Sequence, residues 1–333
     1  MVCSYAEADG KECSRPNRSV QHLRESATRS NKIAGRVHLV TGGYGGCGFE
    51  LAKILYQHNA TVYVAGRSKE KGDKAIAELE KLFPDSKGKA AFLALDLADQ
   101  STIKKSADEF MAKESRLDVL TQNAGVMVPP AGSKDALGHD LQMGTNCLGP
   151  WLFAQCLLPV LKKTAASAPP GSVRVTWAAS MAIALAPTGG VVFEKGTVKA
   201  QSDVNVQYSV SKVGNVYLAH EFGRRYGGDG IVSVSWNPGN LKTDLTRHSS
   251  TVFKLFLNTF ILYPAVYGGY TELYAACSPD ISVKDNGAFV IPWGRIGYLR
   301  GDMIAAEKPK EEGGTGIAQQ FWDWCEQECK QYL

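Results

Sequence analysis

The chain has 333 residues, a length that α/β folds reach around one sheet and that buries a core without disulfides or metal. Its 37 basic and 33 acidic residues leave a net charge of +4, too small and too dispersed for a nucleic-acid partner. The eight cysteines form no CxxC pair and have no histidine cluster beside them, which argues against a zinc module or a secreted disulfide framework and for a reducing, cytoplasmic compartment.

Residues 1–34 mix acids, bases and polar groups without an apolar core, so they read as a disordered extension rather than a signal peptide. No run is suited to crossing a membrane. The apolar stretch 148–161 is too short, and 252–266 is interrupted by Lys254 and Asn258. From residue 35 on, short β-branched runs at 37–40, 61–65, 90–95, 119–122, 173–177, 231–236 and 288–291 suit buried parallel strands. Helical patterning falls between them at 50–57, 69–83 and 208–225, and Pro84 ends the second of these. Such alternation predicts one α/β domain over 35–333, a doubly wound parallel sheet of about seven strands with helices on both faces, followed by a C-terminal helix. Cys325 and Cys329 lie one turn apart on that helix; without a partner histidine they read as a packed face rather than a metal site.

In doubly wound sheets ligands bind beyond the carboxyl ends of the strands. Those ends are chemically marked here. The first is followed by Thr41-Gly42-Gly43-Tyr44-Gly45-Gly46-Cys47-Gly48, the second by Gly66-Arg67 and the third by Asp96-Leu97. Asn123-Ala124-Gly125 follows the fourth, Ser180 the fifth and Asn237-Pro238-Gly239 the sixth. The glycine loop lets the backbone turn tightly and bring a helix N-terminus, with its amides and dipole, against a pyrophosphate. Arg67 stands where enzymes that use NAD place an acid for the ribose hydroxyls. A guanidinium there pairs with a 2′-phosphate, and Lys69 is near enough to help, so NADP(H) is the expected cofactor.

Tyr208-Ser209-Val210-Ser211-Lys212 puts a phenol and an ammonium one helical turn apart. A free phenol, with a pKa of ~10, shuttles protons poorly near neutrality, and a neighbouring ammonium is expected to lower that value. Ser180 is a candidate to hold a substrate oxygen, and Asn146 to steady a proton relay.

Together these residues resemble the short-chain dehydrogenase/reductase family over about 35–295. The resemblance rests on the glycine loop from Thr41 through Gly42, Gly43, Tyr44 and Gly46 to Gly48, on Asn123-Ala124-Gly125, on the set Asn146, Ser180, Tyr208 and Lys212, and on Pro238-Gly239 followed by Thr243. Retinol-dehydrogenase-like carbonyl reductases and fungal reductases of secondary metabolism look most similar, through 237–245 and the C-terminal Gly313–Gly316 and Phe321–Trp324 segments. The resemblance implies a Rossmann-type fold and hydride transfer between nicotinamide and a carbonyl or alcohol. It also implies that Asp96 and Leu97 flank the adenine, that Lys212 bonds the nicotinamide ribose and that Thr243 reaches the nicotinamide end.

Gly45 and Gly46 together also fit the TGxxGxxG loop of the epimerase and dehydratase branch, whereas Asn123–Gly125 and Pro238-Gly239 favour the reductase branch. Gln122 and Trp177 stand where other residues are usual. An NADP(H)-binding sensor or scaffold without turnover is the remaining alternative. The segment around 245–270, with Phe253, Phe256, Phe260 and Tyr263, is expected either to cover a lipophilic small-molecule substrate as a lid or to pack on the core or a second subunit of a homodimer.

Overall fold

The computed structural model describes residues 33–241 and 263–333. Thr243, Phe253, Phe256, Phe260 and residues 1–32 of the expected extension lie outside the described residues. The strands are β1 (Val37–Thr41), β2 (Thr61–Gly66), β3 (Lys89–Ala94), β4 (Val119–Gln122), β5 (Val173–Ala178), β6 (Phe193–Glu194), β7 (Thr197–Val198), β8 (Ile231–Trp236), β9 (Phe289–Ile291) and β10 (Arg295–Ile296). The main sheet runs β3-β2-β1-β4-β5-β8-β9-β10 and is parallel except for β10, while β6 and β7 form a separate ribbon. The chain order reverses between β1 and β4, the switch point at which a crevice opens in such sheets. Seven expected runs are strands. The eighth, β10, is a two-residue exposed arm of a hairpin and too short to show alternation in sequence.

The helices are α1 (Gly46–Gln57), α2 (Lys69–Leu82), α3 (Gln100–Lys113), α4 (Gly149–Ala165), α5 (Val204–Tyr226), α6 (Val266–Cys277), α7 (Gly301–Glu307) and α8 (Ile317–Cys329). Successive strand residues point to opposite faces. In β2, Tyr63 and Ala65 join a core with residues of α3, α4, α5 and α8, whereas Val62 and Val64 join a second core with α1, α2 and α6. Each fully buried Val or Leu contributes about 1.5–3 kcal/mol, which fixes the register of strands covered on both sides. The apolar run 148–161 spans the end of the π-helical turn Gly144–Leu148 and most of α4, where the majority of its side chains are buried.

Two devices place the elements around the crevice. Arg174 of β5 is buried and spends its charge on backbone carbonyls; its guanidinium donates to those of Ala275, Ser278 and Ile281 at 2.7–3.0 Å and so closes the C-terminus of α6. Burial lowers its pKa to about 10, which leaves it charged at neutrality. Behind α5 lies α8. Trp322 meets Trp151 edge to face at 5.6 Å, and Phe321 packs where Gly214 leaves room. Cys325 and Cys329 are buried within this packing, and burial pushes both thiols up, as expected of inert core cysteines.

A methyl group on Gly214 would lie 2.7 Å from Cys147 Sγ and 2.9 Å from Phe321 Cζ. Gly214→Ala is therefore expected to destabilise the fold by about 1–3 kcal/mol through overpacking. Combining it with Phe321→Leu should recover most of that loss in thermal melts, and a Gly214→Ala melt equal to that of the parent would contradict this packing.

Candidate active site

The glycine loop is built by backbone geometry. Gly42 and Gly46 have φ of 66° and 53°, the left-handed region where a side chain is strained. Gly48 has no room for one, because Asn123 Nδ2 would lie 2.4 Å from its Cβ. Asn123 Nδ2 in turn donates to the Thr41 carbonyl at 2.8 Å, and Thr41 Oγ1 accepts from the Ala124 amide at 2.9 Å. The ends of β1 and β4 are thus laced together across the switch point. Gly43 closes on Val40, and Tyr44 lays its ring over Gly66 at the end of β2. No side chain caps α1, no acid stands in its first turn, and the space at the Gly45 Cβ position is open. An uncapped helix start without an acid in its first turn leaves its first amides free of side-chain acceptors, as an anion site requires.

Arg67 follows β2 and is exposed, with no ion pair among the described residues. Lys69 is also exposed, and its ammonium is engaged by both oxygens of Asp73 at 2.8 and 2.6 Å. Of the two cations expected near a 2′-phosphate, Arg67 alone is uncommitted. Asp96 Oδ1 accepts from the Ala98 amide at 2.9 Å, and Leu97 is buried against Gly149. Beyond β8, Gly239 has φ of 88° and its amide donates to Asn237 Oδ1 at 3.0 Å, which turns the chain at Pro238.

The titratable cluster lies where α5 passes the end of β5. Asp203 caps α5 by accepting from the Asn205 and Val206 amides, and Tyr208 follows in the next turn. Lys212 Nζ lies 5.5 Å from the Tyr208 ring centroid and donates to the Ala178 carbonyl at 2.8 Å. Two residues past Ala178, Ser180 Oγ accepts from the Ala182 amide at 3.1 Å and lies near enough to the Tyr208 phenol to favour its ionised form. Asn146 sits in a π-helical turn, Gly144–Leu148, that leads into α4; such turns recur at functional sites. Its Oδ1 accepts from the Val126 amide at 2.8 Å, while its Nδ2 donates to the Val126 carbonyl and to Ser211 Oγ, each at 3.0 Å. Gly125 lies against both partners: its Cβ position is 3.0 Å from Asn146 Oδ1 and 3.4 Å from Lys212 Nζ. Asn146, Ser180, Tyr208 and Lys212, scattered in sequence, are brought to one sheet edge beside Gly125.

The expected lowering of the Tyr208 pKa is not what the protein surroundings impose. Burial pushes the phenol up to about 12, with the Ser180 hydroxyl pulling the other way. Burial likewise brings the Lys212 ammonium down to about 8. A buried site disfavours the charged form of each group. The arrangement holds a protonated phenol beside a hydroxyl, with a readily deprotonated ammonium one turn away.

Several residues of this cluster carry no sequence signal by themselves. Ser211 accepts from Asn146 and donates to the Tyr208 carbonyl at 2.7 Å, and Asn215 shares the Ala178 carbonyl with Lys212 at 2.8 Å. Asn215 stands three residues after Lys212, a spacing that places both on one helix face. Gln142, which accepts from the Val128 amide and donates to the Val204 carbonyl, has no such local cue. The unusual Gln122 and Trp177 serve packing: Gln122 Nε2 reaches the Pro150 carbonyl and Trp177 Nε1 reaches Ser233 Oγ, each at 2.9 Å. No cluster among the described residues is able to hold a metal ion, and no described helix is long and apolar enough to cross a membrane.

Comparison with known proteins agrees with this architecture. A family model described as short chain dehydrogenase matches residues 36–173. A short-chain dehydrogenase/reductase from Phomopsis amygdali is 45% identical over 306 residues, covering 90% of this chain and 91% of the relative. An enzyme of the same description, bet4 from Neocamarosporium betae, is 42% identical over 90% of this chain and 88% of its own length. Among solved structures, the RhlG/NADP active-site complex of Pseudomonas aeruginosa superposes with a TM-score of 0.62 at 22% identity, over 78% of this chain and 96% of that one. The 3-oxoacyl-[acyl-carrier protein] reductase of Brucella melitensis in complex with NAD gives 0.61 at 20% identity, over 78% and 96%. At such identities the two structures speak for the fold alone, whereas the sequence relatives establish that the chain belongs to the short-chain dehydrogenase/reductase family of oxidoreductases.

Proposed function

We propose that the protein is an NADP(H)-dependent carbonyl reductase, working in either direction on a lipophilic or secondary-metabolite carbonyl or alcohol. The observation that carries this reading is the convergence of Tyr208, Ser180, Lys212 and Asn146 on the sheet edge that also bears the glycine loop. The residues fit a dinucleotide: the open face at Gly45, the uncapped start of α1 and the uncommitted Arg67 line the ends of β1 and β2. Bound there, the cofactor would supply the hydride or accept it. Arg67 would hold the 2′-phosphate and the α1 amides the pyrophosphate, while Asp96, Leu97 and Asn123–Gly125 would border the rest. Pro238-Gly239, with Thr243 beyond the described residues, would stand at the nicotinamide end.

The chain's own part is proton handling. Ser180 Oγ orients the substrate oxygen, and the Tyr208 phenol gives it a proton in reduction. A phenol held up to about 12 remains protonated through the physiological range, so the donor form is always present. The phenolate left behind is stabilised by the Lys212 ammonium, whose hydrogen bond to Ala178 keeps it one turn from the ring. Asn146 and Ser211 fix the backbone around both residues.

Two measurements follow. NADPH should bind at least tenfold tighter than NADH, because a charge-assisted contact to a phosphate contributes about 1.5–3 kcal/mol. Arg67→Asp should invert that order in fluorescence titrations, and equal affinities in the parent would remove the assignment of NADP(H). The pH profile of kcat/KM for reduction reports groups of the free enzyme. It should be level below and fall above a pH near 8, where Lys212 loses its proton. Lys212→Arg, with a group that does not titrate in this range, should abolish the break whatever its rate. A break that persists unmoved in Lys212→Arg belongs to another group.

A further inference from the structure

Three aromatic rings stand where the chain leaves β8 and β9, and the proton-handling cluster uses none of them. Ala178 pairs with Trp236 and Trp236 with Val290, so Ser180, Pro238 and Pro292 each stand two residues beyond one register line. Neighbouring strands lie about 4.8 Å apart, so Ala178 and Val290 on that line, from which the chain runs on to Ser180 and Pro292, are roughly 10 Å apart. Pro292 abuts the Pro238-Gly239 turn: a Cβ on Gly239 would lie 3.1 Å from Pro292 Cγ. The next residue is Trp293. From the other side, the Tyr263 amide donates to the Asn240 carbonyl at 2.8 Å, and Tyr267 stands in the first turn of α6. The rings of Trp293 and Tyr263 are 5.7 Å apart at 85°, those of Trp293 and Tyr267 5.5 Å at 83°, and those of Tyr263 and Tyr267 5.9 Å at 74°. Three nearly perpendicular rings make a corner, and Tyr263 is 45% exposed, so the corner is not sealed into the core.

The backbone at Trp293 is unusual. Trp293 and Gly294 have φ of 71° and 64° in the tip that joins β9 to β10. Two successive left-handed residues are the mark of a hairpin turn that favours Asn, Asp or Gly. A bulky side chain at the first of these positions is an outlier, and such strain persists where the surroundings over-determine it, commonly at binding sites. Turn chemistry alone would not select tryptophan here.

We propose that Trp293, Tyr263 and Tyr267 form an aromatic wall on the substrate side of the site and make the protein select carbonyl compounds that carry a flat conjugated ring system. A planar group stacks on or abuts such rings in offset or edge-to-face geometry, which a saturated group of equal bulk does not do. The roughly 10 Å across the sheet from the β5 line to the β9 line accommodates a carbonyl at the Ser180 end and a bicyclic ring at the other. The proposal rests on the reading of the site as a carbonyl reductase for its orientation, since Ser180 marks the carbonyl end.

The test compares 2-acetylnaphthalene with its saturated analogue 2-acetyldecalin on the full chain, with affinities from ligand-observed NMR titration. The parent should bind the aromatic probe about fivefold tighter or more. Trp293→Asn, which suits the turn, should bring the two within twofold of each other. Tyr267→Leu, which keeps apolar bulk, should reduce the preference by at least half and decides the matter if Trp293→Asn does not fold. Equal affinities in the parent, or a preference that survives in the folded variants, would overturn the wall. NADPH oxidation with the same probes separates this from the underlying reading. A binding preference without turnover counts against carbonyl reduction and leaves the wall standing, and turnover without preference does the reverse.

Discussion

The Lys212 ammonium is buried at the end of β5, where it donates to the Ala178 carbonyl. Removing an ammonium from water costs several kcal/mol unless its donors are satisfied, so this bond restrains α5 against sliding along or rotating on the sheet. Asn215 adds a second donor to the same carbonyl and reinforces the register. Once Lys212 is fixed, Tyr208 one turn earlier must stand against Ser180, two residues past Ala178. The same burial drives the phenol up to about 12 and the ammonium down to about 8. Neither charge is favourable alone, and a phenolate beside an ammonium is the combination in which each offsets the other's desolvation. In the proposed reaction this ties loss of the phenol proton to the presence of the lysine charge.

The rest of the crevice is arranged to keep that pair in place. Gly125 lets the β4 end approach Asn146 and Lys212 together, and the π-helical turn aims Asn146 at Val126 and Ser211. Behind α5, Gly214 admits Phe321, so the C-terminal helix supports the same turn of α5 that carries Lys212. On the other face, Arg174 holds the end of α6, the helix that begins at the aromatic corner beside Pro238-Gly239. Interactions far apart in sequence therefore converge on a few residues at the strand ends.

What was legible in the sequence is what depends on local spacing or composition. The glycine loop, Asn123–Gly125 and the Tyr208–Lys212 turn are read from neighbours, and the strands from β-branched runs buried on both faces. Lys69 was also within reach, since Asp73 stands four residues on and competes for its charge. The direction of the Tyr208 shift was not, because it depends on how deeply the ring is buried. Ser211, Gln142 and Asn215 act through partners set by the fold. His38 in β1 is illegible for another reason: burial lowers the imidazole to about 3 and keeps it neutral in a position that reads as polar, and neither ring nitrogen meets a hydrogen-bond partner among the described residues. The β10 arm and the left-handed Trp293 lie in a turn whose chemistry contradicts its sequence preference, and only the backbone reveals it.

Tyr208→Phe keeps the ring and the helix and removes only the group able to exchange a proton. A positioned acid is worth about 10²–10⁴ in rate, so turnover of any carbonyl reduced by the parent should fall by at least ~10²-fold. NADPH affinity should stay within about twofold, because the proposed phosphate contacts lie at the glycine loop and Arg67. A Tyr208→Phe variant that reduces the same substrate at a near-parental rate would contradict the assignment of the proton donor.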